Sequence, residues 1–375
     1  MNRHDISDLI SMSRTYGSDT RFVLLGGGNT SKKIGDVMYV KASGCALSDI
    51  DSGGFVAMSL PKLKAIWDRC YSEEAEEREK EILIDMMDAR CEGETSRPSV
   101  EALLHSIIPY TYTVHLHPAL VNGLTCSQSG GESMKKLFPE AMWIPSAQPG
   151  YMLAKAVKRA QQDYVSRIKT YPNIIFLQNH GVFVGGDSLE DIDRSYDHII
   201  KRLTRSIARK PNFAELKVDN HRISLVKQAM QSMYGDAHDV PVAFNRELAN
   251  RLTDEQSFFS LSSAYTPDHI LYSGCKPLWI EDVVFEGNST IEDIKESIRN
   301  YEISVGIKPK VLAVQQTAVI AIDESAMALF IDTIKIAVFT ESFGGPRFMD
   351  NDQIQFILNW EAEKYRVKVK RNRAP

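Results

Sequence analysis

The chain has 375 residues, 43% of them hydrophobic and 25% charged, a balance that fits a folded globular protein and excludes the disordered, fibrous and membrane-embedded classes. A formal net charge of −5 gives no global attraction to nucleic acid or to an anionic membrane, so an anionic ligand must be held locally. Neither the charged N-terminal MNRHDISDLI nor any later segment offers the roughly 20 apolar residues that span a bilayer, and a cytoplasmic protein is expected.

The length suits two domains better than one. Residues 21–60 read as strand RFVLL, glycine turn GGGNTSKK, strand VMYVKASG and strand GFVAMSL. Between Leu63 and Arg90 glutamates alternate with Ile82, Leu83, Met86 and Met87 near helical spacing, which predicts a solvated helix. RPSVEALLHSIIP fits a helix opened by Pro98 with Ser99 as N-cap and closed by Pro109. TYTVHLHP reads as a buried strand, 151–169 as a helix, and NIIFLQNHGVFVGG as a strand running into a glycine turn. SLEDIDRSYDHIIKRLTRSIAR predicts a long amphipathic helix opened by Ser188.

The polar KPNFAELKVDNHR marks a linker, which divides the chain into an α/β unit of residues 1–210 and a C-terminal extension of 215–375. The extension shows helices around 222–234 and 246–254, an apolar stretch HILYSGCKPLWI, a strand KVLAVQQTAVIAID, a helix SAMALFIDTIKIAVFTES and a charged terminal helix. The five cysteines are scattered and include no C-x-x-C pair, which points to free thiols and away from a thiolate zinc cluster.

Successive side chains on a strand alternate faces, so His115 and His117 in TVHLHP point the same way. His180, where NIIFLQ ends, is placed to supply a third nitrogen, and three protein nitrogens with an open fourth position make a catalytic zinc site. A lone H-x-H also arises by chance, and His105, His198, His221, His238 and His269 read as surface or satisfied core histidines, with His4 in the N-terminal tail. Glu101, in the first turn of the helix leading into the H-x-H strand, is the candidate base, against the alternative that it merely stabilises the helix.

The glycines of LLGGGNTSKK can take positive φ and converge backbone N–H groups on an anion, with Asn29, Thr30 and Ser31 adding side-chain donors. Ser43 and Gly44 in KASG and Ser99 at its helix start could complete a phosphate site. A dinucleotide fingerprint fits less well, because Ser31 stands where glycine or alanine belongs and IGDVMYV reads as strand where a helix is required.

GGGNTS, KASG with its following L-x-x-I, PSVEALLH, VHLHP and QNHGVFVGG, in this order, resemble the class II aldolase and adducin family over roughly residues 5–205. The short connection from PSVEALLH to VHLHP, with TPDHILYSGCKPL and FILNWEAEKYR further on, is similar to the aldolase domain of bifunctional rhamnulose-phosphate aldolase and alcohol dehydrogenase proteins. No counterpart of their dehydrogenase half is visible in the sequence.

The resemblance implies an α/β/α layer fold around a mostly antiparallel sheet, followed by a smaller α/β region; for residues 215–375 the sequence leaves open oligomer contacts, a lid or part of the pocket. It implies zinc on His115, His117 and His180, Glu101 as acid/base, and phosphate binding by Gly28, Asn29, Ser43, Gly44 and Ser99. The expected substrate is a ketose 1-phosphate resembling rhamnulose or fuculose 1-phosphate, cleaved to dihydroxyacetone phosphate and an aldehyde in a homotetramer. Family members also use a tyrosine, in some cases from a neighbouring subunit, which this sequence does not single out. An epimerase, dehydratase or decarboxylase on the same scaffold is the alternative. A non-catalytic adducin-like module fits less well, since all three histidines and Glu101 are present.

Overall fold

The computed structural model describes residues 5–235, 240–286 and 290–360; His4, His238 and the EAEKYR end of FILNWEAEKYR lie outside them. The described residues form two compact units, one from those of 5–125, 129–206 and 355–360, the other from those of 126–128, 207–235, 240–286 and 290–354. Among them no helix is long and apolar enough to cross a membrane.

The first unit is built on a seven-stranded mixed sheet of β1 (Asn29–Ile34), β2 (Val37–Lys41), β3 (Phe55–Ser59), β4 (Tyr112–Leu116), β5 (Met142–Ile144), β6 (Ile174–Leu177) and β7 (Gly181–Gly186). Their order is β3-β2-β1-β4-β7-β6-β5, and every neighbouring pair is antiparallel except β5 and β6. The sheet is therefore mostly antiparallel, as expected. β4 and β7, at the centre of the sheet, are buried along their whole length, with Val114, Leu116, Val182, Phe183 and Val184 wholly so.

The helix Leu189–Ser206 buries Ile192, Tyr196, Ile199 and Leu203, one apolar stripe at helical spacing. Its start is fixed by a reciprocal cap: the Asp191 N–H donates to Ser188 Oγ at 3.1 Å and the Ser188 N–H to Asp191 Oδ2 at 3.2 Å. The buried Tyr196 hydroxyl donates to the Val114 carbonyl of β4 at 3.1 Å and so ties helix to sheet.

Three local expectations need correction. RFVLL is not a strand; its apolar residues serve ring packing, Phe22 lying edge-on to Tyr16 and Tyr196, and β1 begins only at Asn29. The helix after PSVE begins later than predicted, at Ala102, with Glu101 in the N-cap position. Pro98 is held extended by its bridge to Ala42, and the Ser99 N–H donates to the Lys41 carbonyl at 2.9 Å, which delays the helix. NIIFLQNHGVFVGG is two strands, β6 and β7, whose turn is Gln178–His180; Gly185 and Gly186 end β7.

The second unit carries a four-stranded sheet, β8 (Val242–Ala243), β9 (Leu278–Ile280), β10 (Val311–Val314) and β11 (Ala318–Ala321), in the order β8-β11-β10-β9. Only β9 and β10 pair in parallel. KVLAVQQTAVIAID, read as one strand, is the β10–β11 hairpin: Gln316 takes φ +53° and the Thr317 N–H donates to the Val314 carbonyl at 3.1 Å. Val226, Ile294, Ile298, Leu312, Val314 and Ile320 form its core with the helices Asn220–Tyr234 and Thr290–Val305, the latter an addition to the sequence reading.

Candidate metal centre and active site

β4 carries His115 at its core and ends one residue before His117, whose N–H donates to the Phe22 carbonyl at 3.2 Å. The extended backbone keeps both imidazoles on one side, and the Nε2 atoms of His115 and His117 lie 2.9 Å apart. The Gln178–His180 turn delivers the third ring. Asn179 adopts φ +55° within that turn, and His180 Nε2 comes to 3.4 Å from His115 Nε2.

Two glycines make this convergence possible. A Cβ on Gly181 would fall 2.5 Å from the Leu116 carbonyl oxygen, and one on Gly28 2.8 Å from the His115 carbonyl oxygen. Only residues without a side chain allow backbone to close in on the histidine strand from both neighbours.

His115 is wholly buried, its ring stacked on Phe183 with centroids 3.9 Å apart and an 11° angle between planes. Its Nδ1 lies 3.0 Å from the Val182 carbonyl, which can only accept, so Nδ1 carries the proton and the Nε2 lone pair faces the other two rings. Burial, the largest cause, pushes the His115 pKa far below its ordinary value, with Glu101 acting in the opposite direction, and the ring is neutral near pH 7.

Glu101 meets this cluster from the N-cap position of the helix Ala102–Ile107, Oε2 lying 3.5 Å from His115 Nε2 and Oε1 3.5 Å from His180 Nε2. Burial alone would raise its pKa, but His115, His180 and the hydrogen bond from Asn29 outweigh it and hold the carboxyl below its ordinary value. Oε1 is buried and accepts no hydrogen bond.

The ligand nitrogens of His115, His117 and His180 lie within 4.8 Å of one another. A tetrahedral zinc with bonds of about 2.0–2.1 Å separates its nitrogen ligands by roughly 3.3 Å, close to the spacing of these rings. An orphaned carboxylate oxygen beside three converging imidazoles fits a divalent cation, and the Val182 carbonyl supplies the outer contact that fixes ring orientation.

The residues expected at the phosphate fall in two adjoining turns. Gly28, at φ +64°, packs on β4; the Ser43 N–H donates to the Arg97 carbonyl at 2.8 Å, which sets the turn containing Ser43 and Gly44 (φ +83°) beside the segment leading to Ser99. Ser99 Oγ accepts the Glu101 N–H at 3.3 Å, not a helix N–H as an N-cap would. The Gly27 N–H donates to the Leu24 carbonyl, and Gly28 alone of the three glycines takes positive φ, so the expected nest of converging amides is not what this turn forms. Asn29 donates from Nδ2 to Glu101 Oε2 at 2.6 Å, so its amide is committed to that carboxylate.

Two buried residues join the site without having been singled out as functional. Lys41 Nζ donates to the Gly26 carbonyl at 3.1 Å and the Cys45 carbonyl at 2.7 Å, one ammonium tying the two turns together. His105, read as a satisfied core histidine, is wholly buried and hydrogen-bonded at both ring nitrogens, but its partners are Ser31 and the Asn29 amide that holds Glu101. The K of KASG and the last residue of PSVEALLH are the only signals either had.

The family description "Class II Aldolase and Adducin N-terminal domain" matches residues 7–199. A relative from Bacillus subtilis (strain 168), the uncharacterized oxidoreductase YuxG, is 23% identical over 309 residues, which cover 74% of this chain and 42% of that protein. The chain thus spans under half the length of that relative. Among solved structures, the N-terminal class II aldolase domain of a conserved protein from Thermoplasma acidophilum is 25% identical with a TM-score of 0.47, over 55% of this chain and 94% of that one. L-fuculose-1-phosphate aldolase from Thermus thermophilus is 15% identical with a TM-score of 0.35, over 53% of this chain and 91% of that one. With the family match covering more than half of the sequence and the ordered motifs lying inside it, the chain belongs to the class II aldolase and adducin family.

Proposed function

We propose that the chain is a zinc-dependent aldolase that cleaves a ketose 1-phosphate, of the rhamnulose or fuculose 1-phosphate type, to dihydroxyacetone phosphate and an aldehyde. The observation that carries this reading is the buried Glu101 carboxylate within 3.5 Å of His115 and His180, one oxygen held by Asn29 and the other accepting no hydrogen bond.

His115, His117 and His180 would hold the ion, and a divalent metal there supplies Lewis-acid stabilisation of charge developing on substrate oxygens, a term of several kcal/mol. Glu101, with its pKa held down, is ionised near pH 7 and is ready to accept a proton. In synthesis it removes a proton from the hydroxymethyl carbon of dihydroxyacetone phosphate while the aldehyde oxygen takes one from solvent; in cleavage the C4 hydroxyl loses its proton to solvent as the C3–C4 bond breaks, and Glu101 returns a proton to C3. The turns around Gly28, Ser43, Gly44 and Ser99 take the phosphate, with the buried Lys41 ammonium adding positive charge beneath them. The reading carries with it a cytoplasmic homotetramer, with residues 215–375 serving oligomer contacts or a lid.

A screen of ketose 1-phosphates for released dihydroxyacetone phosphate tests this. Cleavage is expected in the wild type, and Glu101→Gln is expected to lower kcat by about 10²–10⁴-fold with bound metal retained. No release from any ketose 1-phosphate by metal-loaded protein contradicts the reading.

A further inference from the structure

Glu101 is the end of a line of buried hydrogen bonds. Its Oε2 accepts from Asn29 Nδ2 at 2.6 Å; Asn29 Oδ1 meets His105 Nε2; His105 Nδ1 meets Ser31 Oγ at 2.8 Å. Ser31 and His105 are wholly buried, and Asn29 and Glu101 are nearly so. Asn29 and Ser31 share one face of β1, two residues apart, while Glu101 and His105 lie four apart, at the N-cap and in the last turn of the helix Ala102–Ile107. Strand and helix therefore present two matched pairs to one another.

The direction of every bond is fixed by chemistry. Asn29 Nδ2 donates to Glu101 Oε2 at 2.6 Å, so Oδ1 is the amide atom turned to His105. Oδ1 only accepts, so His105 carries its proton on Nε2. A neutral imidazole has one N–H, so Nδ1 accepts and Ser31 Oγ donates. Burial holds the His105 pKa well below its ordinary value, in keeping with the neutral ring.

We propose that Ser31, His105 and Asn29 form a one-way relay that pins Oε2 of Glu101 and leaves Oε1 as the oxygen that exchanges a proton with the substrate carbon. His105 is then a positioning residue, acting through Asn29. In the synthesis direction the substrate C–H bond breaks, its electron pair stays on the substrate as the enediolate, and the proton forms an O–H bond on Oε1; cleavage runs the same transfer backwards. Oε1 accepts no hydrogen bond and lies on the His180 side, whereas Oε2 is already occupied. This role rests on the aldolase reading; the hydrogen-bond directions do not.

The first test needs no substrate. In ¹⁵N-histidine spectra of the wild-type protein, the resonance that disappears in His105→Gln is expected to show Nε2 protonated and Nδ1 bare. The Nδ1–H tautomer, or an imidazolium, overturns the relay whatever reaction the protein catalyses. Ser31→Ala removes the donor to Nδ1 and is expected to leave the Nε2–H tautomer in place, because Asn29 Oδ1 sets it; a switch to Nδ1–H in this variant counts against the relay.

The second test is kinetic. His105→Phe keeps the ring volume and loses both bonds, and is expected to lower kcat by about 10–100-fold, the worth of one hydrogen bond to a charged group, with KM and metal content near wild type. His105→Gln restores a donor toward Asn29 and is expected to recover most of the loss. Full kcat in His105→Phe overturns the relay while leaving the aldolase reading intact. Failure of the wild type to cleave any ketose phosphate, with the Nε2–H tautomer observed, overturns the aldolase reading and supports the relay's geometry.

Discussion

Gly181 and His117 approach so closely that a methyl group on the glycine Cα would sit 2.7 Å from Cδ2 of the imidazole. β7 starts at this glycine, directly after His180, so one position governs how two of the three rings meet. Gly181→Ala is expected to turn His117 away and to weaken metal binding by about 10–100-fold, the usual cost of disturbing ligand orientation. Competition with a chromogenic chelator measures this; an unchanged affinity would show that His117 does not hold the ion.

Lys41 joins the two turns by hydrogen bonds to the Gly26 and Cys45 carbonyls from a buried ammonium. Lys41→Met keeps the chain length and removes every donor. With both acceptors stripped of this charged donor, a stability loss of about 1–3 kcal/mol is expected in urea unfolding, together with a higher KM for a phosphorylated substrate. A KM unchanged from wild type would dissociate the lysine from substrate binding.

Glu79 is pushed up to about 7, mainly by burial, against an ordinary value of 4.5; Arg78 and the Tyr151 N–H only partly oppose this. Its protonated form suits the folded state better than the unfolded one. The contribution is therefore fully present below pH 4.5 and is lost as pH rises through 7, a change of up to about 3 kcal/mol for a shift of this size. Glu79→Gln should remove this slope, so that the variant gains on the wild type between about pH 5 and pH 8 in denaturant titrations. Parallel stability curves for the two proteins would contradict it.

The parts of the site that were legible in the sequence are those set by local geometry. A period-two strand puts His115 and His117 on one side whatever surrounds it, and the order of motifs located His180 and Glu101. Turns were less legible. The apolar RFVLL looks like strand but packs Phe22 against Tyr16 of the preceding helix and the distant Tyr196, and the glycines of NHGVFVGG hid a turn made by Gln178, Asn179 and His180. Least legible was the support behind Glu101. His105 meets Ser31 and Asn29 across 74 and 76 residues of chain, and Lys41 reaches back 15 residues to Gly26. Buried polar groups are satisfied by whatever the tertiary fold brings near, and spacing along the chain carries no trace of that choice.

The proposed chemistry depends on an ion held by His115, His117 and His180. Elemental analysis of purified wild-type and His115→Ala protein, after equilibration with zinc and removal of the excess, tests it most directly. One zinc per chain in the wild type and a loss of most of it in the variant is the expected result. Equal metal content in the two proteins would contradict the assignment, and with it the role given to Glu101 beside it.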